Sequence, residues 1–343
     1  MAIKTLNFHN LRNLENQKLD LDENINILYG DNAQGKTNIL EAVYFASLGR
    51  SHRTSNYKEL IKLGEKECTF TLDNVKIHLT KKSKEIYVDG FKMKKLAELL
   101  GNILVALFSP EDLDLIKEGP NLRRKFIDIT LCQLNKIYYY ELGLYYKALN
   151  QRNALLKKNE LDTIFIWDDQ LVLHGEKIMQ IREDYIKEIN LFANKIHKEI
   201  SGNKEELHIS YKKNAQNFKE KLEKNLSKDV LLKSTSSGIH RDDVLIEING
   251  LEAKVYGSQG QIRTASLALK LASVLYINKE KGEYPIILLD DVFSELDKNR
   301  INFLLEFLKD KQSIITCTGN IDFLKGLKVN KKMIREGKIN GGE

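Results

Sequence analysis

Apolar positions along the chain follow two periods, and the switches between them mark out the elements. Ile3, Leu6 and Phe8 alternate with polar residues, and Leu19 and Leu21 flank Asp20, which predicts an N-terminal β region. Ile25, Ile27 and Leu28 predict a short buried strand. Ile39, Leu40, Val43 and Tyr44 then recur at helical spacing. Cys68–Leu72, Val75–Leu79 and Glu85–Val88 alternate as hairpin strands do, with Asp89-Gly90 as a turn signal before Phe91. Ile103–Phe108 is a continuous apolar run and predicts a buried strand. Ser109-Pro110-Glu111-Asp112 predicts a helix start, with a capping serine, proline at the first position and acids in the first turn.

From Gly119 the period becomes helical throughout. Ile178, Ile181, Tyr185, Ile189, Phe192, Ile196 and Ile200 step by three and four, which predicts one core-facing stripe of a long helix. The stripe is too short for a protruding coiled coil. Residues 204–233 are polar and lysine-rich and predict a surface strand and helix. An α/β pattern returns near Ser234. Val244–Ile248 and Leu251–Val255 flank Asn249-Gly250, a hairpin signal. A helix is expected over 259–278, a buried strand over Ile286–Leu289, a helix over 297–309 and a strand over Ser313–Thr316. The predicted class is α/β. A nucleotide-binding domain is split between 1–118 and 235–343, and a mainly helical, lid-like subdomain, 119–234, is inserted into it.

Composition narrows the setting. The 343 residues are 42% apolar and 30% charged, as in a soluble globular protein with ample core. The net charge of +6 leans toward an anionic partner. Three scattered cysteines form no C-x-x-C pair, so neither a disulfide framework nor a zinc site is indicated, and a cytoplasmic setting fits. No apolar run approaches the ~20 residues of a membrane span, and no signal-peptide core opens the chain.

The candidate chemistry begins at Gly30-Asp31-Asn32-Ala33-Gln34-Gly35-Lys36-Thr37, which has G-x-x-x-x-G-K-[ST] spacing between the strand and the helix. The glycines let successive N–H groups turn inward on phosphate oxygens. Lys36 supplies a cation for the β- and γ-phosphates of ATP, and Thr37 a hydroxyl for Mg²⁺. Asp290-Asp291 ends the strand over 286–289, on the side where ligands bind in such sheets. Asp290 is the expected second Mg²⁺ ligand, and Asp291 is placed to polarise the attacking water. Tyr256–Arg263 opens the next-to-last long helix and contains Ser258, Gln259, Gly260 and Gln261. It reads as a second phosphate cradle or as a plain helix cap. Two cradles in one chain suggest two copies facing each other.

Gly30–Thr37, Ser258-Gln-Gly-Gln261, Leu288-Leu-Asp-Asp291 and Ser294-Glu-Leu-Asp297 resemble the motifs of the ABC-type ATPase superfamily. Phe108-Ser-Pro-Glu-Asp-Leu113, Arg123-Arg-Lys-Phe-Ile-Asp128, His240-Arg-Asp-Asp243 and Gly257–Thr264 make the chain similar to the RecF family, related to SMC and Rad50 heads. The resemblance implies an ABC-type ATPase head and an ATP-dependent homodimer. The signature residues Ser258–Gln261 would act in trans, and Ser294 and Asp297 would form the D-loop. It implies slow, DNA-stimulated hydrolysis, binding of double-stranded DNA and of junctions with single strands, and action in repair, recombination, replication and the SOS response. RecR and RecO are the implied partners. Gln259 stands where the superfamily has Gly, Asp291 where it has Glu, Ile239 where the family pattern has Pro, and Thr316-Cys317-Thr318 where a switch His is usual. Candidate DNA contacts are Arg50, His52 and Arg53 after the first helix, and Arg123, Arg124 and Lys125 at the start of the insertion. A transporter ATPase subunit and an SMC-like structural ATPase are the competing readings.

Overall fold

The computed structural model describes residues 2–318 and 329–341. They fall into two compact units, Met1–Asp112 with Ile277–Glu343, and Leu113–Tyr276.

The first unit opens with strands β1 (Thr5–His9), β2 (Gln17–Asp20) and β3 (Ile25–Tyr29), and helix α1 (Lys36–Leu48). Strands β4 (Glu67–Leu72), β5 (Val75–Thr80), β6 (Lys84–Val88) and β7 (Phe91–Lys92) follow. After the short helix α2 (Leu96–Leu99) comes β8 (Val105–Phe108). One six-stranded sheet is antiparallel, in the order β2-β1-β4-β5-β6-β7. Its strands alternate buried and open positions, as the apolar pattern predicts. At the β6–β7 turn, Asp89 and Gly90 both have positive φ, the conformation that matches hairpin twist.

The second unit holds α3 (Asp114–Lys117), α4 (Pro120–Leu134), α5 (Lys136–Lys158) and α6 (Ile164–Ser201). Then come β9 (Leu207–Lys212), α7 (Phe218–Leu232), β10 (Asp243–Ile248), β11 (Leu251–Glu252) and α8 (Ala253–Tyr256). Helix α9 (Gln259–Lys281) leads back to the first unit, where β12 (Ile286–Asp290), α10 (Lys298–Leu308), β13 (Ser313–Cys317), β14 (Asn330–Arg335) and β15 (Lys338–Gly341) complete the second sheet. Its order is β15-β14-β3-β13-β12-β8, and β3, β13, β12 and β8 run parallel. Strands β3, β12 and β13 are buried on both faces, which is why apolar residues dominate them, with Asn26, Ser313 and Thr316 as buried polar exceptions.

On α6 the expected stripe is a core face: Ile178, Tyr185, Ile189 and Ile196 are buried. The segment after Ser109 differs from its expectation. It is a 3₁₀ turn over Pro110–Leu113, and the Ser109 N–H donates to Asp112 Oδ2 at 2.9 Å. The charged carboxylate of Asp112 reaches back to that N–H and closes the turn with a charge-assisted bond.

Buried arginines fix the segment 235–243 within the second unit. Arg182, fully buried, donates to Asp128 at 2.8 Å, the Tyr138 hydroxyl at 2.9 Å and the Ile239 carbonyl at 3.0 Å. Arg152 donates to Asp229 at 2.7 Å and Thr235 Oγ1 at 3.0 Å. His240 lies between the Thr235 carbonyl, 3.0 Å from Nε2, and the Tyr145 hydroxyl, 2.8 Å from Nδ1. A carbonyl only accepts, so Nε2 carries a proton, and with the His240 pKa lowered to about 4 the ring is neutral near pH 7, with Nδ1 accepting from Tyr145. Both ring nitrogens of His240 are thus engaged within the second unit.

A pH dependence follows from that histidine. Burial lowers the His240 pKa to about 4, and the Arg241 and Arg124 charges add to the effect. The unfolded value is ~6.5, so between roughly pH 6.5 and 4 the unfolded chain takes up a proton that the folded chain refuses. Stability is unaffected above that window and falls on acidification through it, by at most ~1.4 kcal/mol per pH unit. Thermal melts of wild type and His240→Gln between these pH values should show a shallower acid decline in the variant. Parallel declines would remove His240 from the account.

Candidate nucleotide site

The phosphate loop leaves β3 at Gly30 and enters α1 at Lys36. Gly30 has φ 151°, and a Cβ there would sit 2.2 Å from the Ile334 carbonyl oxygen. Gly35 has φ 112°, and its Cβ would lie 2.7 Å from Leu14 Cδ2. Both positions therefore require glycine, by conformation and by space. The first turn of α1 points its free N–H groups into this loop, a ready anion site. Lys36 is only 7% exposed. Its ammonium donates to the carbonyls of Gly30 at 2.8 Å and Asp31 at 2.6 Å. Desolvation lowers its pKa, against the nearby charges of Asp291, Asp290 and Asp31.

The parallel pairing of β12 with β13 and β3 brings the acidic pair to the loop. Thr37 Oγ1 donates to Asp290 Oδ1 at 2.8 Å. Thr316, opposite Asp290 on β13, donates to the same oxygen at 2.8 Å. Asp291 adopts φ 51°, a left-handed conformation that costs a non-glycine residue energy. Its N–H donates to Thr316 Oγ1 at 3.0 Å, and its carbonyl accepts from the Ser294 hydroxyl at 2.6 Å. Burial, and then the Asp290 charge, raise the Asp291 pKa. Two hard oxygen donors, Thr37 and Asp290, thus meet at the phosphate loop, a set that suits Mg²⁺.

Beside the loop lies an open cleft of about 590 Å³, lined among others by Arg12, Asn13, Asn38, Arg53, Ile61 and Lys62. A chain of amides ties it to the loop. Arg53 donates to Asn38 at 2.8 Å, Asn38 to Asn13 at 2.7 Å, and Asn13 to the Ala33 carbonyl at 3.2 Å. Glu41 on α1 is fully buried beneath it. Burial opposes its charge, but hydrogen bonds from Arg12 and Ser51 and the charges of Arg12 and Arg53 hold its pKa below the ordinary value. Sequence reasoning missed Arg12, Asn13, Asn38 and Glu41. The available signal was Asn38, which directly follows Gly-Lys-Thr at the start of α1.

Other residues expected at sites lie as follows. Ser258 is exposed ahead of α9 and forms a reciprocal cap with Gln261: the Ser258 N–H donates to Gln261 Oε1 at 2.8 Å, and the Gln261 N–H to Ser258 Oγ at 3.3 Å. Asp297 caps α10 by accepting from the Arg300 N–H at 3.0 Å. Arg50, Arg53 and Lys125 are exposed. The candidate DNA contact Arg123 is corrected. It is 6% exposed, its guanidinium forks onto Asp243 at 2.7 and 3.1 Å, and Nη1 donates to the carbonyls of Leu115 and Glu118. An arginine so engaged has no free edge for a phosphate. Arg124 is half-buried and donates to the Asp242 carbonyl at 2.5 Å and to Asn121.

The strand–loop–helix site at the parallel sheet defines the chain as a P-loop ATPase head of ABC type. Residues 5–255 match the family model of the AAA domain. The DNA replication and repair protein RecF of Clostridium tetani (strain Massachusetts / E88) is 44% identical over 366 residues, covering 100% of this chain and 99% of the relative. Solved structures of the recombination mediator protein RecF in the RecFOR pathway, as RecF-ATPrS and RecF-ATP, match with TM-scores of 0.92 and 0.91. They are 38% and 37% identical, each covering 100% of this chain and 98% of its match. An SMC head bound to the C-winged helix domain of ScpA matches with a TM-score of 0.59 at 15% identity, covering 100% of this chain and 98% of that one, a likeness of fold alone. The chain belongs to the RecF family.

Proposed function

We propose that this chain is an ATP-dependent DNA-binding protein of recombinational repair and replication-gap processing. ATP drives two copies head to head, the closed pair holds DNA, and slow hydrolysis releases it. The observation that carries the reading is the 2.8 Å link from Thr37 to Asp290, which joins the loop to the acidic pair. It is supported by full-length similarity to RecF and by the solved relative described as RecF-ATP.

In this reading the N–H groups at Gly35–Thr37 receive the phosphates, and Lys36 turns from its carbonyls to the β- and γ-phosphates. The nucleoside end lies along the cleft of Arg12, Asn13 and Asn38. Thr37 and Asp290 would hold Mg²⁺, which when bound neutralises charge on the phosphates. Asp291 polarises the water. Aspartate is one methylene shorter than the glutamate usual in the superfamily, so it reaches the water less well and turnover is weak. DNA stimulates that turnover. Ser258–Gln261 of each copy complete the other's site, with Ser294 and Asp297 at the same contact. Arg50, Arg53 and Lys125 are the remaining backbone contacts for double-stranded DNA and its junctions, without base reading. RecR and RecO are the partners, and the protein acts in the cytoplasm. Among the described residues no helix is long and apolar enough to cross a membrane.

Self-association tests the reading. Light scattering should report monomer without nucleotide and dimer with ATP and Mg²⁺. Ser258→Arg places bulk and charge at the exposed start of α9, so it should bind ATP and remain monomeric. Normal dimerisation of that variant would leave Ser258 as a helix cap and nothing more.

A further inference from the structure

Thr316 lies on β13, in the segment where the superfamily usually has a switch His, and it is 1% exposed. Its hydroxyl is engaged on both sides. It donates to Asp290 Oδ1 at 2.8 Å, and it accepts the Asp291 N–H at 3.0 Å. One small group on a neighbouring strand therefore holds the carboxylate of one acid and the backbone of the next. We propose that Thr316 is a positioning residue for hydrolysis, fixing Asp290 and Asp291 together relative to the phosphate loop. The proposal rests on the roles given above to those two acids.

Three features make the positioning necessary. Asp291 sits in a left-handed conformation, which aspartate tolerates better than most residues but at a cost relative to glycine. It therefore needs outside support, given by Thr316 at its N–H and by Ser294 at its carbonyl. Asp290 Oδ1 now accepts from both Thr37 and Thr316. When the Thr37 hydroxyl turns to its role beside bound nucleotide, Thr316 is the tether that keeps Asp290 in place. The register supplies it: Asp290 pairs directly with Thr316 across the parallel β12–β13 ladder. No such tether is visible to a reader of motifs, because the residue lies far along the chain from the loop it serves.

Positioning affects the chemical step more than binding. Thr316→Val keeps the shape and removes the hydroxyl. It should lower kcat by about tenfold or more while the KM for ATP changes by less than about threefold. Thr316→Cys, a second replacement that retains little hydrogen-bonding power, should behave alike. Thr316→Ser keeps the hydroxyl and should restore most of the turnover. Melting curves show which variants are folded. Wild-type kcat in a folded Thr316→Val or Thr316→Cys would overturn the proposal. So would a Thr316→Ser as slow as Thr316→Val, since then the methyl group and its packing would be what matters. Asp291→Asn, assayed alongside, separates the two levels. If it hydrolyses ATP normally, the assignment of Asp291 fails. If it is inactive while folded Thr316→Val is normal, only the positioning role fails.

Discussion

Lys36→Ala should lower ATP turnover by at least about 100-fold, the order of loss when a preorganised charge partner of the transition state is removed. The ammonium is the cation nearest the expected phosphates, and its burial strengthens its field. In the absence of nucleotide the same ammonium closes the loop on the carbonyls of Gly30 and Asp31. ATP must therefore exchange those two hydrogen bonds for phosphate contacts. Lys36 is buried. Removing the ammonium leaves the Gly30 and Asp31 carbonyls without it, so the variant should also lose about 1–2 kcal/mol. Steady-state ATPase assays beside thermal melts separate the two effects. Full turnover in Lys36→Ala would mean that the site is elsewhere.

Asp291→Asn should bind ATP and fail to hydrolyse it, with kcat reduced by about 100-fold or more as a general base is lost. Asparagine keeps the shape and tolerates the left-handed backbone that Asp291 adopts. It also removes one of two adjacent negative charges, a repulsion that already raises the Asp291 pKa. ATP affinity should therefore hold or improve. Equilibrium binding of a fluorescent ATP analogue, read beside single-turnover hydrolysis, checks both halves. A variant that neither binds nor hydrolyses would make Asp291 a structural acid.

Much of this was legible in the sequence because its causes are local. The glycines at 30 and 35 announce a loop, and the apolar residues Ile25, Ile27 and Leu28 and the unbroken run Ile286–Leu289 announce strands buried on both faces. The stripe on α6 was legible for the same reason, since a helix repeats its buried face. What sequence could not show depends on distant pairing. Thr316 becomes a partner of Asp290 only through the β12–β13 register. Arg123 looks like any surface arginine until Asp243 and two carbonyls are found around it. At Ser109 the sequence showed the helix start, but not that Asp112, three residues on, would accept the Ser109 N–H and close the turn.

The central claim is that bound ATP switches the grip on DNA, and the hydrolysis-blocked form shows it without turnover. Labelled duplex titrated with Asp291→Asn should bind tightly with ATP and Mg²⁺ and weakly without nucleotide. Added salt should weaken the complex steeply, and base sequence should matter little. Equal affinity with and without ATP would contradict the switch.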